Sequence, residues 1–335
     1  MDDFINYKIV KYNEQYKKEW DFFVNIESIN GTFLHTRNFL NYHPKGRFID
    51  NSYMIYDRKG KLAAVIPACL VIKNEKKVLC SHKGSTFGGI VINKKNYRVE
   101  KIISIVEIIE KQAIKEEIDE IEYKVTSSVY SIEPDSLFEY IFFNKGYKEY
   151  KELNLLVNYS NYNDNIIKNL SKGKKYSVSK SEKAGCKFIQ LDSKNEIIEF
   201  YNILCNNLNK YNVKPVHTIN ELIEFKDFRL KNECSFFGIE LNQKIVAGAM
   251  MFYFNKVNVA HTQYLCALPE YDGLSPMSFL YYSLIKEMKI RGYKKLTWGI
   301  VTEEQGKYLN MGLANSKEAF GGEYSINRIY SKILK

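Results

Sequence analysis

The feature that most constrains this chain is an internal repeat. Laying Ser52 over Ser235 without a gap puts Tyr53 on Phe236, Asp57 on Glu240, Lys61 on Lys244, Leu62 on Ile245 and Ala64 on Ala247. From there both copies run through the same order: more strand, a glycine-containing loop, a long helix, a strand, a short helix and a glycine break. The long helices are expected at Asn96 to Lys115 and Pro276 to Arg291. In the first, Ile102, Ile105, Val106, Ile109 and Ala113 recur at the spacing of one helical face. The strands that follow are Ile118 to Tyr123 and Lys294 to Gly299, and the last strands are Glu149 to Val157 and Tyr324 to Leu334. Two copies of one α/β unit with a mixed sheet are therefore expected, residues 1–159 and 160–335, each long enough for its own core.

Several classes drop out. The longest uncharged apolar run, Leu62 to Ile72, reads as one buried strand and is far short of the roughly 20 residues that span a bilayer. Met1-Asp2-Asp3-Phe4 lacks the basic-then-apolar pattern of a signal peptide. The six cysteines form no CxxC pair, which points to reduced, mostly buried thiols, no metal site and a cytoplasmic location. The net charge of +10 is concentrated: Lys168 to Lys187 carries seven lysines and one Glu182, or +6, and the other residues share +4. That block fits a patch for an anionic partner, and it also fits a solvated helix face.

Strands, a loop opening a long helix, then strand, helix and strand is an order that resembles the GNAT acyltransferase fold. Two copies in tandem are similar to its FemAB-like branch. Three stretches carry the resemblance: Leu170 to Gly185, a lysine-rich helix ending in glycine; Glu270-Tyr271-Asp272-Gly273-Leu274-Ser275, similar to a phosphate loop of the form Arg/Gln-x-x-Gly-x-Gly/Ala; and Gly306 to Leu313 followed by Lys317-Glu318-Ala319-Phe320-Gly321, which looks like the FemAB-like ending Gly…Lys-x-x-Phe-Gly. The resemblance implies tandem acyl-CoA N-acyltransferase (GNAT-like) domains, the second holding the donor and the catalytic groups, the first holding the acceptor.

Acyl transfer needs a place for the donor, hydrogen-bond donors toward the carbonyl oxygen, and proton handling at the amine and leaving group. Gly273, Leu274 and Ser275 precede the Pro276 helix, where N–H groups can hold a pyrophosphate. An ordinary strand-to-helix turn reads the same way, and Glu270 departs from the family's Arg or Gln. Alternation puts His261 and Gln263 on one strand face, and the resemblance implies that this strand lines the acyl channel. His261 fits a base or a hydrogen-bonded, half-buried histidine. Glu303 fits a base or part of a helix cap built on Thr302. The resemblance gives Lys317, on the same closing segment as Asn310, the task of neutralising developing charge, and a solvated surface lysine is the alternative. In the first copy, Gly84 to Gly89 stands where the phosphate loop would be, and His35, Arg37, His43 and His82 are acceptor-site candidates or surface polar groups. Lys174 and Lys175 are substrate-binding candidates on the basic helix.

The expected activity is an N-acyltransferase moving an acetyl or aminoacyl group to an amine of a cell-envelope or glycan precursor. The donor is acyl-CoA (acetyl-CoA) or aminoacyl-tRNA; the acceptor is a small-molecule amine or nucleotide-sugar, with no stable membrane insertion. A non-catalytic GNAT-like module holding an anionic ligand is the competing class. A nucleic-acid-binding protein is third, since the sequence has no helix-turn-helix or zinc pattern.

Overall fold

The computed structural model describes residues 7–44, 46–210 and 212–334; the acidic opening Met1–Phe4 lies outside them. The chain is a mixed α/β protein of two compact units. One holds the chain up to Glu152 together with Ile326 onward, the other Leu153–Ser325. The expected break at 159/160 therefore comes seven residues late, and it misassigns the end of the chain.

In the first unit, Lys8–Lys11, Tyr53–Tyr56, Leu62–Ile66 and Val91–Ile92 form an antiparallel sheet in that order. A second set runs Ile49–Asp50, Ala68–Lys73, Lys76–Ser81, Glu120–Lys124, with residues 329–333 antiparallel to the last. Leu62 to Ile72 is thus two strands rather than one. Pro67 has no N–H to give a ladder, and the chain changes sheets there. Helix Val99–Lys115 buries the five residues its spacing singled out, each fully inaccessible.

The second unit runs from Leu153 to Ser325. Helix α1 (Lys172–Lys183) and strand β1 (Lys187–Leu191) lead to α2 (Lys194–Asn209) and α3 (Ile219–Glu224). Then come β2 (Cys234–Leu241), β3 (Lys244–Phe254), β4 (Val259–Ala267), α4 (Pro276–Ile290), β5 (Lys295–Ile300) and α5 (Met311–Glu318). The sheet order is β1-β2-β3-β4-β5, closed by residues 154–158 antiparallel to β5. Only β4 and β5 are parallel, as a crossover through α4 requires. The first unit repeats this device: Lys76–Ser81 and Glu120–Lys124 are parallel over three rungs on either side of the long helix.

The repeat also explains the misplaced boundary. Residues 154–158 end the first copy in sequence but complete the second unit's sheet, and residues 329–333 do the converse. Each unit keeps its own core, one built around Ile105, Ile109, Ile121 and Phe142, the other around Leu280, Leu284, Ala260 and Leu296. All six cysteines are free and five are buried.

Candidate active site

The site grows from the one parallel pair in the second unit. β4 and β5 share three rungs, Val259↔Lys295, Ala260↔Leu296 and His261↔Thr297, and then part, although β4 continues to Ala267 and β5 to Ile300. His261 and Thr297 close the bottom of the opening, Nδ1 to Oγ1 at 2.5 Å.

β4 turns away at a bulge. The register with β3 runs Phe252↔His261 and Met251↔Thr262, then Met250↔Tyr264, so Gln263 is unpaired. The period-two alternation that linked His261 and Gln263 is interrupted at this bulge. Met250 and Phe252 are two apart on β3 and share a face, so their partners Tyr264 and His261 share one too. Tyr264 was not singled out from the sequence, because an extra residue in a strand leaves no mark on a period-two pattern. Its hydroxyl meets Nδ1 of buried His217 at 2.7 Å.

β5 is held open by Lys317. Its ammonium donates to the carbonyls of Trp298 (2.7 Å), Gly299 (3.3 Å) and Ile300 (3.3 Å). Successive carbonyls of a straight strand point opposite ways. They converge here because Gly299 takes φ 76°, a conformation open to glycine without steric cost. Lys317 is 4% exposed, so it is neither a solvated surface lysine nor a freely projecting one. Burial pulls its pKa down to about 8. Burial, and after it the Lys317 charge, lowers His261 to about 4, so the ring is neutral near pH 7. Beneath β5, Trp298 packs edge-on against Tyr281 (4.6 Å) and Tyr281 stacks on Phe320 (5.0 Å). The buried Trp298 Nε1 has no hydrogen-bond partner, a donor that sequence patterning does not reveal.

The remaining expectations fare unevenly. Glu303 is exposed and lies in a two-residue strand paired with Tyr308–Leu309, so Thr302 caps no helix. Asn310 is the cap instead: its side chain accepts from Leu313 N–H at 3.0 Å and donates to Glu303 at 3.2 Å. Neither Glu303 nor Asn310 bonds to Lys317 or His261. Lys174 is half-buried, its Nζ 3.4 Å from both Ser278 Oγ and Ser316 Oγ and 5.0 Å from the centre of the Phe320 ring; burial lowers its pKa. Lys175 is exposed.

The turn before α4 is a poor pyrophosphate cradle. Ser275 sits at φ 59° and its N–H is taken by Asp272 O at 2.9 Å. Pro276 has no N–H, and those of Ser278 and Phe279 go to Ser275 O. The carbonyls of Leu274 and Ser275 accept from Ser181 Oγ of α1. Glu270 and Asp272 add negative charge. Of the expected pyrophosphate trio Gly273, Leu274 and Ser275, Ser275 has no free N–H to offer.

In the first unit, the acceptor candidates His35, Arg37 and His82 are buried and His43 is half-buried. Arg37 is fully buried, ion-paired with Asp50 and stacked on Tyr12 (3.4 Å) and Trp20 (4.2 Å). His35 Nδ1 accepts from Thr32 N–H at 2.9 Å. His82 Nδ1 accepts from Gly84 N–H at 3.2 Å. The His43 ring fills the space over Gly84, with Nε2 only 1.5 Å from where a Cβ would stand. The glycine-rich loop is thus occupied by the protein's own imidazole.

Comparison with known proteins agrees with this architecture. Residues 184–308 match the acetyltransferase (GNAT) family. The fold is similar to FemX (TM-score 0.68, 12% identity, 97% of both chains) and to L-PGS from Bacillus licheniformis (TM-score 0.57, 11% identity, 95% of this chain and 91% of that one). It is also similar to a tandem GNAT protein from the clavulanic acid biosynthesis pathway (TM-score 0.57, 8% identity, 98% of this chain and 99% of that one). At such identities these likenesses speak for the fold. No curated protein sequence matches the chain.

Proposed function

We propose that this chain, whose residues 184–308 match the acetyltransferase (GNAT) family and whose fold is similar to FemX and to a tandem GNAT protein, is an acyltransferase whose second unit moves an aminoacyl group from its tRNA ester to an amine of a cell-envelope or glycan precursor. The observation that carries this is the opening between β4 and β5 beyond His261–Thr297, with the Lys317 ammonium lodged on its β5 side. A planar acyl group fits between two parting strands, and the bulge at Gln263 takes backbone polar groups out of the ladder, where they can meet a carbonyl oxygen.

In the reaction the amine nitrogen bonds to the ester carbonyl carbon, the ester C–O bond breaks, and the ribose hydroxyl leaves with a proton while the amine gives one up. The positive field of Lys317 favours the oxyanion formed in between. Tyr264, backed by His217, is a polar group on the His261 face of β4 that can pass the amine proton on. Coenzyme A is the donor the wider family suggests, but the turn before α4, with the N–H groups of Ser275, Ser278 and Phe279 bonded to backbone oxygens and Glu270 and Asp272 beside it, favours a donor that brings no pyrophosphate there.

The test offers purified protein radiolabelled aminoacyl-tRNA or acetyl-CoA, each with an amine-bearing nucleotide-sugar precursor. Label moving to the precursor from aminoacyl-tRNA alone supports the proposal. Label moving from acetyl-CoA alone overturns the donor assignment, and none from either supports a ligand-holding module. Thermal shift with coenzyme A is an independent check, since a ligand at 100 times its Kd stabilises by about 2.7 kcal/mol.

A further inference from the structure

Two exposed features of the second unit stand side by side and have no part in the transfer site. The first is the outer face of α1. Lys172, Lys175, Tyr176, Lys180 and Lys183 recur at i, i+3, i+4, i+8 and i+11, and all are exposed, Tyr176 at 70%. Among the described residues no carboxylate pairs with any of these four lysines, and the one acid on the helix is Glu182. The opposite face, with Lys174, Val178 and Ser181, is the one packed on the protein. The second feature is an apolar lip. Tyr308 (50% exposed), Leu309 (46%), Met311 (57%) and Leu313 (37%) fall within six residues at the start of α5. Lys174 Nζ, 3.4 Å from Ser316 Oγ, ties the first turn of α1 to α5, one turn beyond Leu313.

An isolated exposed leucine needs no explanation, but four large apolar side chains in one lip do. They cost solubility unless something covers them. The charge beside them says what: a row of unpaired lysines flanked by Tyr176 and Tyr308 has the composition of an interfacial surface. Lysines meet anionic headgroups, tyrosines sit at headgroup depth, and leucine and methionine enter the acyl boundary. The two carboxylates nearest the lip are engaged locally, Glu304 with Lys307 at 4.0 Å and Glu303 with Asn310 at 3.2 Å. Among the described residues no helix is long and apolar enough to cross a membrane, so any contact is with its surface.

We infer that the lysine face of α1 and the lip Tyr308–Leu313 together dock the protein on an anionic phospholipid surface. The lip follows directly on β5, since Asn310 N–H bonds Val301 O at 2.9 Å, so docking brings the mouth of the transfer site to the interface. The docking itself does not depend on which group is transferred.

The test is co-sedimentation of the full chain with vesicles of phosphatidylglycerol and phosphatidylcholine (1:1) against phosphatidylcholine alone, in 50 and 500 mM salt. Binding to the anionic vesicles that weakens with salt is expected. Each polybasic lysine adds roughly fivefold to such binding, so Lys172→Gln/Lys175→Gln/Lys180→Gln is expected to weaken it roughly 100-fold. Leu309→Asp/Met311→Asp is expected to weaken it roughly tenfold or more at constant net basic charge on α1. Both variants change exposed side chains, and an unchanged melting temperature identifies them as folded. No binding of the wild type at low salt overturns the inference. So does binding that the lip variant leaves intact, because that is adsorption of a cation by charge alone. Tighter binding to tRNA than to vesicles, lost in the lysine variant and kept in the lip variant, assigns the surface to nucleic acid and overturns it as well.

Discussion

Lys317→Met tests the buried ammonium most directly. The wild-type side chain is 4% exposed and its pKa falls to about 8 from the ordinary 10.4 or so. Holding the charge inside at neutral pH therefore costs about 3 kcal/mol. That cost is net of the three carbonyl hydrogen bonds, one short and two long, because the lowered pKa includes them. Methionine matches the length of the chain and removes the cost, but it leaves three carbonyls without their donor, at about 1–3 kcal/mol for a buried acceptor, so the two effects nearly offset and the stability at pH 7 is expected to change by no more than about 1–2 kcal/mol. The pH dependence is the sharper signature. The folded pKa lies below the unfolded one, so between about pH 8 and 10.5 the unfolded chain holds more protons, and stability must rise with pH across that window. Between pH 7 and 9.5 the gain is about 2 kcal/mol in the wild type relative to the variant. Urea unfolding followed by circular dichroism at both pH values measures it, and taking the difference between the proteins cancels the other titrating groups. A wild-type-minus-variant difference that stays flat with pH would refute the buried, desolvated ammonium. In single-turnover transfer, the loss of a favourable field at the oxyanion corresponds to a fall of roughly 100-fold or more.

Three other outcomes follow from the same geometry. Burial lowers both His82 and His261 to about 4, so each folded ring takes up its proton later than the unfolded one; stability is lost as pH falls from about 6.5 to 4, and His82→Gln should flatten that acid limb in a denaturation series. Gly84→Ala drives a methyl group into the His43 ring and is expected to cost about 1–3 kcal/mol by the same unfolding assay, with His43→Ala in the same chain restoring part of it; no rescue would mean that the contact is not the cause. Arg37→Ala leaves Asp50 without its partner and two aromatic faces without their cation, and should cost about 3–5 kcal/mol; Arg37→Lys should rescue little, because a lysine cannot stack on Tyr12 and Trp20 while pairing with Asp50, and full rescue would sink that account.

Periodicity and repetition were enough to read the architecture. The apolar stripe Ile102–Ala113, the glycine breaks and the repeat of hairpin, helix and strand are properties of neighbouring residues, so they are written locally and survive in the linear text. Whatever depends on partners distant in sequence was not legible. The strands that close each unit's sheet come from the other copy, because pairing is decided by which sheet has an open edge and not by order along the chain. Pro67 marked a break inside an apolar run, yet only the tertiary fold sent the two halves to different sheets. At the site, the sequence pointed to Lys317 and His261 by type and place, and the fold decided their surroundings: one sits on three carbonyls, the other is kept neutral by burial and a nearby charge. Arg37, His43 and His82 carried the same polar chemistry on the page and became core supports instead. A polar side chain is functional or structural according to what packs around it, and that is fixed only when the sheet closes.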